Sequence, residues 1–363
     1  MTLDEDAIAR LRLIRTATIG PVTFHQLLLR FGDARAAIEA VPDLARRGGG
    51  AAPKVVASAA IEREAAAVER LGARYLLRGR DGYPPLLGQL EDAPPALIVS
   101  GEGELALRPV VAIVGARNAS AAAVRFARTI AYDLGQAGQS VVSGLARGID
   151  TGAHLGSLDT GTVAVVAGGI DVFYPPENAE LQRRIGERGL LIAEQPPGTE
   201  PRARHFPYRN RIIAGLAAGT VVIEAAPKSG SLITARLAAE AGREVMAVPG
   251  SPLDPRAQGC NQLIRDGATL VQSAADVLAT LRPFGGGAVA SPPQRYGGPR
   301  LDSDATDQER RMVTELLSPS AVAIDEIVRQ SHLPPAIVQT VLLELELAGR
   351  LERHAGGRVS LTG

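Results

Sequence analysis

Apolar positions between residues 110 and 282 gather in short runs rich in β-branched side chains: VVAIVGA, SVVSGL, TVAVVAGG, LLIAEQ, TVVIEAA, EVMAVPG and ATLVQS. Between them lie Ala- and Leu-rich segments with helical spacing, such as SAAAVRFARTIAYDLGQAG and SLITARLAAEAG. Strands that are apolar throughout, alternating with helices, predict an α/β fold in which a parallel sheet is covered on both faces. The pattern therefore predicts a doubly wound, Rossmann-like core.

The flanks follow another period. Residues 7–70 read as short helices, with IARLRLIRTATIG and VTFHQLLLRFG separated by Gly20-Pro21 and a further helix starting after Gly32-Asp33. Two helices joined by a Gly-containing turn resemble a helix-hairpin-helix or sterile-alpha-motif-like module, and a plain packing or assembly domain fits the same pattern. Residues 283–308, PFGGGAVASPPQRYGGPRLDSDATDQ, have no periodic apolar face and read as a flexible linker. Beyond them DQERRMVTELL, AIDEIVRQSH and AIVQTVLLELELAGR give three helices, and RLERHAGGRVSLTG a hairpin around Gly356-Gly357, which together predict a winged helix. The expected layout is a helical domain over 1–75, the core over 76–283, a linker over 284–305 and the winged helix over 306–363.

Composition narrows the partners. The 39 Lys and Arg residues balance 39 Asp and Glu, so no global field draws in nucleic acid or membrane and any charged partner must meet a local patch. The single cysteine, Cys260, excludes an internal disulfide and suits a reducing cytoplasm. The opening MTLDEDAIARL places acids where a signal peptide carries bases, and no apolar run approaches the roughly 20 residues that span a bilayer. A cytoplasmic protein with no membrane partner is expected.

The unusual residues all follow strands. GARNAS (115–120), SGLARGIDTGAH (143–154), GGIDVFYPPEN (168–178), HFPYRNR (205–211), EAAPKSGSLITA (224–235) and PGSPLDP (249–255) should share the carboxyl edge, where open α/β sheets bind ligands. That topology draws Arg209 and Arg211 toward Arg117. Ser120 can cap the helix that follows it, and Lys228, Ser229, Gly230 and Ser231 open another, so both helix starts are candidate phosphate sites. The same glycines and serines also serve simple strand-to-helix turns. Arg209 and Arg211 stand two residues apart and cannot both enter an apolar core, so at least one is expected at the surface. Asn210 could instead cap the following helix, and Phe206 is either a stacking face or an anchor of its helix.

Several chemistries are excluded. VGARNAS is not G-x-G-x-x-G, which argues against a dinucleotide cofactor, and neither a P-loop nor a G-x-S-x-G elbow occurs. Five histidines scattered singly offer no metal pair. No catalytic residue, metal ligand or cofactor is assigned.

The run AIVGARNAS, VVSGLARGIDTGAH, GGIDVFYPPEN, FPYRNRIIAGL, VVIEAAPKSGSLITARLAAEAGREVMAVPG and GCNQLIRDGA resembles the DNA-processing protein A (DprA, or Smf) family in motif order and spacing, over about residues 80–280. The three-part layout matches as well. The resemblance implies a single-stranded-DNA-binding protein of natural transformation that protects incoming strands, helps load the recombinase RecA and dimerises through its core. Carried onto this chain, the DNA pocket would use Gly115, Arg117, Phe206, Arg209, Asn210 and Arg211. Asn118, Ser120, Lys228, Ser229, Gly230 and Ser231 extend the candidate contact. Ala116 departs from the hydroxyl residue common at that turn in the family. Independently, cations beside an aromatic face are what sequence-tolerant single-strand binding needs. About four phosphate contacts would give a log K against log salt slope near −3.

Two alternatives belong beside this reading. Phosphoribohydrolases of the "lonely guy" type use a P-G-G-x-G-T-x-x-E loop on similar architecture; here KSGSLITARLAAE lacks an acid at that place, and Glu240 comes about two turns late. Asp150, Asp171, Glu194 and Glu224 lie near the strand edge, where lone carboxylates usually pair with arginines. In the winged helix, Glu344 and Glu346 in the third helix repel a major groove, whereas Arg350, Arg353, His354 and Arg358 in the wing could touch phosphate.

Overall fold

A computed structural model describes residues 3–281, 304–354 and 356–362. The linker expected at 284–305 lies outside the described residues apart from Asp304 and Ala305. Two compact units form: residues up to 65 together with the described residues from 304 onward, and residues from 66 through 281.

In the first unit α1 (Glu5–Ile14), α2 (Pro21–Phe31) and α3 (Ala34–Arg47) build a small core on Leu13, Phe24, Leu27, Val41 and Leu44. Local chemistry sets their ends. Asp4 accepts from Ala7 N at 2.7 Å and Asp33 from Ala36 N at 2.9 Å, while Pro21 occupies the first turn of α2 after Gly20. α4 (Ser58–Arg70) then carries the chain into the second unit.

The second unit is a nine-stranded sheet of order β1-β2-β6-β5-β4-β3-β7-β8-β9. Its elements run β1 (Arg74–Leu77), α5 (Pro85–Gly88), β2 (Ala96–Gly101), β3 (Val110–Gly115), α6 (Ala121–Gln136), β4 (Ser140–Ser143), α7 (Ile149–Ser157) and β5 (Thr162–Val166). They continue with α8 (Ala179–Arg188), β6 (Leu190–Ala193), α9 (His205–Leu216), β7 (Gly219–Ile223), α10 (Gly230–Glu240), β8 (Glu244–Ala247), α11 (Gln258–Arg265), β9 (Thr269–Leu270) and α12 (Ala274–Leu281). From β6 to β9 every neighbouring pair is parallel, whereas β1 and β2 add an antiparallel edge. In β3, Val111 and Ile113 pack toward α6 and α7 while Ala112 and Val114 join Ile212, Ile213 and Leu216 of α9. Both faces are buried, which is why the strands read as unbroken apolar runs. The doubly wound, Rossmann-like core stands as the sequence pattern predicts.

The chain returns to the first unit with α13 (Asp307–Glu315), β10 (Val322–Ala323), α14 (Ile324–Ser331), α15 (Pro335–Leu347), β11 (Leu351–His354) and β12 (Arg358–Leu361), a winged helix whose strands order β10-β12-β11. Thr306 and Glu309 close a reciprocal cap on α13. The third helix is not an outward-facing reader. On α15, Val338, Val341, Leu342 and Leu345 face the winged-helix core, while Leu343 and Leu347 enter the core of α1–α3. Buried Glu344 takes two bonds from Arg310, at 2.7 and 3.0 Å, and Glu346 one from Arg353 at 2.7 Å. The wing residues are engaged too: Arg350 donates to Gly48 O, His354 pairs with Ser360 and Arg358 donates to Ala321 O.

Candidate nucleic-acid interface

Because β3 to β7 run parallel, the turns after β3, β4 and β5 and the first turn of α9 meet at one edge of the second unit. They enclose a cleft of about 210 Å³. Arg117 reaches in from the β3 turn, Arg147 from the β4 turn, Tyr174 from the β5 loop, and Phe206 and Arg209 from α9. The Arg117 guanidinium lies 5.3 Å from the centroid of the Phe206 ring, and the Tyr174 ring lies 5.7 Å from Phe206 at a 55° tilt. A cation over a half-buried ring, with a second ring beside it, offers charge to a phosphate and π faces to a base. Arg147 approaches Glu177 at 3.6 Å across the rim, and both are exposed.

Behind the cleft, Arg209 is buried and donates to Gly144 O and, at 2.8 Å, to Val165 O. A Cβ on Gly144 would stand 1.9 Å from the Arg209 guanidinium, so a side chain there would require Arg209 to shift. Asp150 accepts from Gly144 N at 3.1 Å and Ala146 N at 3.2 Å, fixing the turn that Arg209 also holds. Burial, and to a smaller degree the like charge of Arg117, lower the Arg209 pKa to about 10, with Asp150 opposing the shift. Arg209 thus stays cationic at neutral pH and forms the back wall of the cleft. Burial raises the Asp150 pKa against the pull of Arg209 and the two backbone N–H groups, and His154, buried nearby, is lowered to about 3 for the same reason.

The expectation that Arg209 or Arg211 would be exposed is overturned, because both are buried. Arg209, Asn210 and Arg211 all lie inside α9, which begins at His205. At 3.6 residues per turn, side chains two positions apart leave a helix on opposite sides. Arg211 therefore points away from Arg209, donating to Glu194 Oε1 and to Asp92 O, each at 2.5 Å. It is locked to a carboxylate and does not line the cleft. Asn210, interior to α9, donates to Gly230 O at 3.4 Å and caps nothing.

The two helix starts differ from expectation as well. Ser120 does cap α6, but its N–H and hydroxyl donate to Glu224 at 2.8 and 2.6 Å, so the chain's own carboxylate fills the site expected for phosphate. Ser229 bonds Ser231 at 2.8 Å, and Lys228, Ser229, Gly230 and Ser231 lie outside the cleft lining. Gly115 is required by packing, since a Cβ would meet Ile223 O at 1.9 Å; Asn118 is exposed. Of the candidates, Arg117, Phe206 and Arg209 are the three that converge. Sequence reasoning missed Arg147, Tyr174 and Gly144. The visible signal for Tyr174 was FY, adjacent aromatics in a Pro-rich loop of a chain only 3% aromatic.

The edge carboxylates are structurally employed. Asp171 accepts from Gly198 N at 2.8 Å, and Glu194 and Glu224 hold Arg211 and Ser120. Glu240 ends α10, opposite its N-terminal turn, and pairs with Arg236. Among the described residues no group of His, Cys, Asp and Glu is arranged to hold a metal, and no helix is long and apolar enough to cross a membrane.

A Rossmann-like core, an N-terminal helical domain and a C-terminal winged helix make up the chain. The chain belongs to the family described as DNA recombination-mediator protein A, which matches residues 74–282; the DprA-like N-terminal HHH domain matches 4–67 and the DprA winged helix domain 298–357. It is 37% identical over 283 residues to Protein Smf of Escherichia coli (strain K12), covering 77% of this chain and 75% of that protein. It is 47% identical over 201 residues to DNA processing protein DprA of Streptococcus pneumoniae, covering 55% of this chain and 71% of that one. The X-ray structure of DprA from Streptococcus pneumoniae superposes with a TM-score of 0.63 at 34% identity, over 77% of this chain and 98% of that chain. DprA from Helicobacter pylori, solved to describe its single-stranded DNA binding mode, gives 0.53 at 27% identity over 58% of this chain and 95% of that chain.

Proposed function

We propose that the protein binds single-stranded DNA in the carboxyl-edge cleft and acts as a recombination mediator in the cytoplasm. In this reading it protects incoming strands and helps load RecA during natural transformation, working as a homodimer joined through its core. The observation that carries the DNA reading is the pairing of Arg117 with Phe206 in an open cleft backed by a buried cation, Arg209. A phosphate seated on Arg117 leaves the adjacent base within reach of the Phe206 and Tyr174 faces. Stacking is indifferent to base identity and supplies roughly 1–3 kcal/mol per base. The relative solved for its single-stranded DNA binding mode supports the same reading.

Fluorescence anisotropy on labelled oligothymidylates tests it. Phe206→Ala should weaken binding roughly 5- to 150-fold. Arg117→Ala should weaken it and flatten the log K against log salt slope by about 0.7. Wild-type affinity and slope in both folded variants would remove the cleft from the account.

A further inference from the structure

We propose that Phe173 and Arg183 form a second stacking platform outside the cleft, so that a strand seated on Arg117 and Phe206 continues over the 167–178 loop toward α8. The proposal rests on the reading of the cleft as a single-stranded DNA site. Aromatic residues are scarce in this chain, yet three of the four exposed ones among the described residues, Phe173, Tyr174 and Tyr208, lie on the β5 loop or the first turn of α9. Phe173 is 40% exposed. The Arg183 guanidinium stands 4.8 Å from its ring centroid, a cation-over-ring arrangement like that of Arg117 over Phe206 in the cleft. Arg183 itself is exposed and pairs with exposed Glu180 at 3.1 Å.

The loop is held in place before any ligand arrives. Gln182 donates to Ile170 O at 3.3 Å and Val172 O at 3.1 Å, Asn178 donates to Leu145 O at 2.9 Å, and Asp171 accepts from Gly198 N. An exposed ring on a braced loop loses little entropy on binding, which favours it as a contact. Continuity with the cleft is direct: Tyr174, the next residue, faces Phe206, and consecutive Cα atoms are about 3.8 Å apart. The two platforms therefore serve neighbouring stretches of one strand, with Arg117 and Arg183 as successive cations. The class of ligand is a phosphodiester chain with unpaired bases, because a base inside a duplex has no free face to stack.

The test is a length series of oligothymidylates from about 4 to about 16 nucleotides, read by anisotropy on the full chain. Phe173→Ala should bind the shortest oligomers within about twofold of wild type and lose roughly fivefold or more on the longest. Phe173→Leu, which keeps the apolar bulk without the π face, should do the same, and Phe173→Trp should restore the long-oligomer affinity. Equal affinity at every length in Phe173→Ala, while Arg117→Ala still binds weakly, would overturn the platform and leave the cleft standing. A uniform loss at all lengths would overturn it too, placing Phe173 in the cleft itself. Should Arg117→Ala also bind normally, the cleft reading fails and the platform with it.

Discussion

Helices α9 and α15 both bury charge among apolar neighbours, and the two end in opposite roles. On α9 the buried guanidinium of Arg209 stands behind an open cleft, and Arg117 and Phe206 complete a surface that solvent reaches. On α15, Glu344 and Glu346 are closed off by Arg310 and Arg353, and Leu343 and Leu347 lie in the core of α1–α3. The face a winged helix commonly offers to a major groove is here an internal packing surface. The charges of α15 are matched by side chains inside the fold, whereas Arg209 of α9 is held by backbone oxygens behind a surface that solvent reaches.

That contrast can be broken most forcefully inside α9. Arg211→Ala removes a buried guanidinium that bridges the Glu194 carboxylate and Asp92 O and should lower stability by about 3–5 kcal/mol in urea denaturation. The corresponding probe of α15, Leu347→Ala, should lower it by about 2–5 kcal/mol while leaving affinity for single-stranded DNA unchanged by anisotropy. A matching loss of DNA binding would mean that α15 is more than packing. Next comes pH. His154 titrates near 3 in the fold against 6.5 for the free group, so the unfolded chain binds more protons between those values. Its contribution is complete above pH 6.5 and declines as pH falls toward 3. The drop in melting temperature between pH 7 and pH 5 should therefore shrink in His154→Gln. The smallest effect is expected in the wing. Arg353→Ala with Arg358→Ala should change single-strand affinity less than about twofold, because both guanidinium groups already have partners within the fold.

Much of the architecture was legible in the residues. The unbroken β-branched runs of β3, β4, β5 and β7 could be satisfied only by a sheet covered on both faces, and Pro21 and Asp33 announced helix starts by local chemistry. The antiparallel β1 and β2 went unread because RYLL and ALIVSG lie outside the repeating strand–helix rhythm. At the site, Arg117 and Phe206 were readable because topology brings strand ends together whatever the intervening sequence. The fates of Arg209, Arg211 and Ser120 were not, since each depends on a partner far away in the chain: Gly144, Glu194 and Glu224. A guanidinium looks the same in sequence whether it faces solvent, a backbone oxygen or a carboxylate.

The most direct measurement is photocrosslinking of an oligomer carrying 5-bromodeoxyuridine, followed by mass spectrometry of the adducts. Crosslinks to Phe206, Tyr174 and the 167–178 loop, with none on α15, are the predicted map. Adducts confined to β11 and β12 of the wing, with residues 167–211 unmarked, would contradict the account.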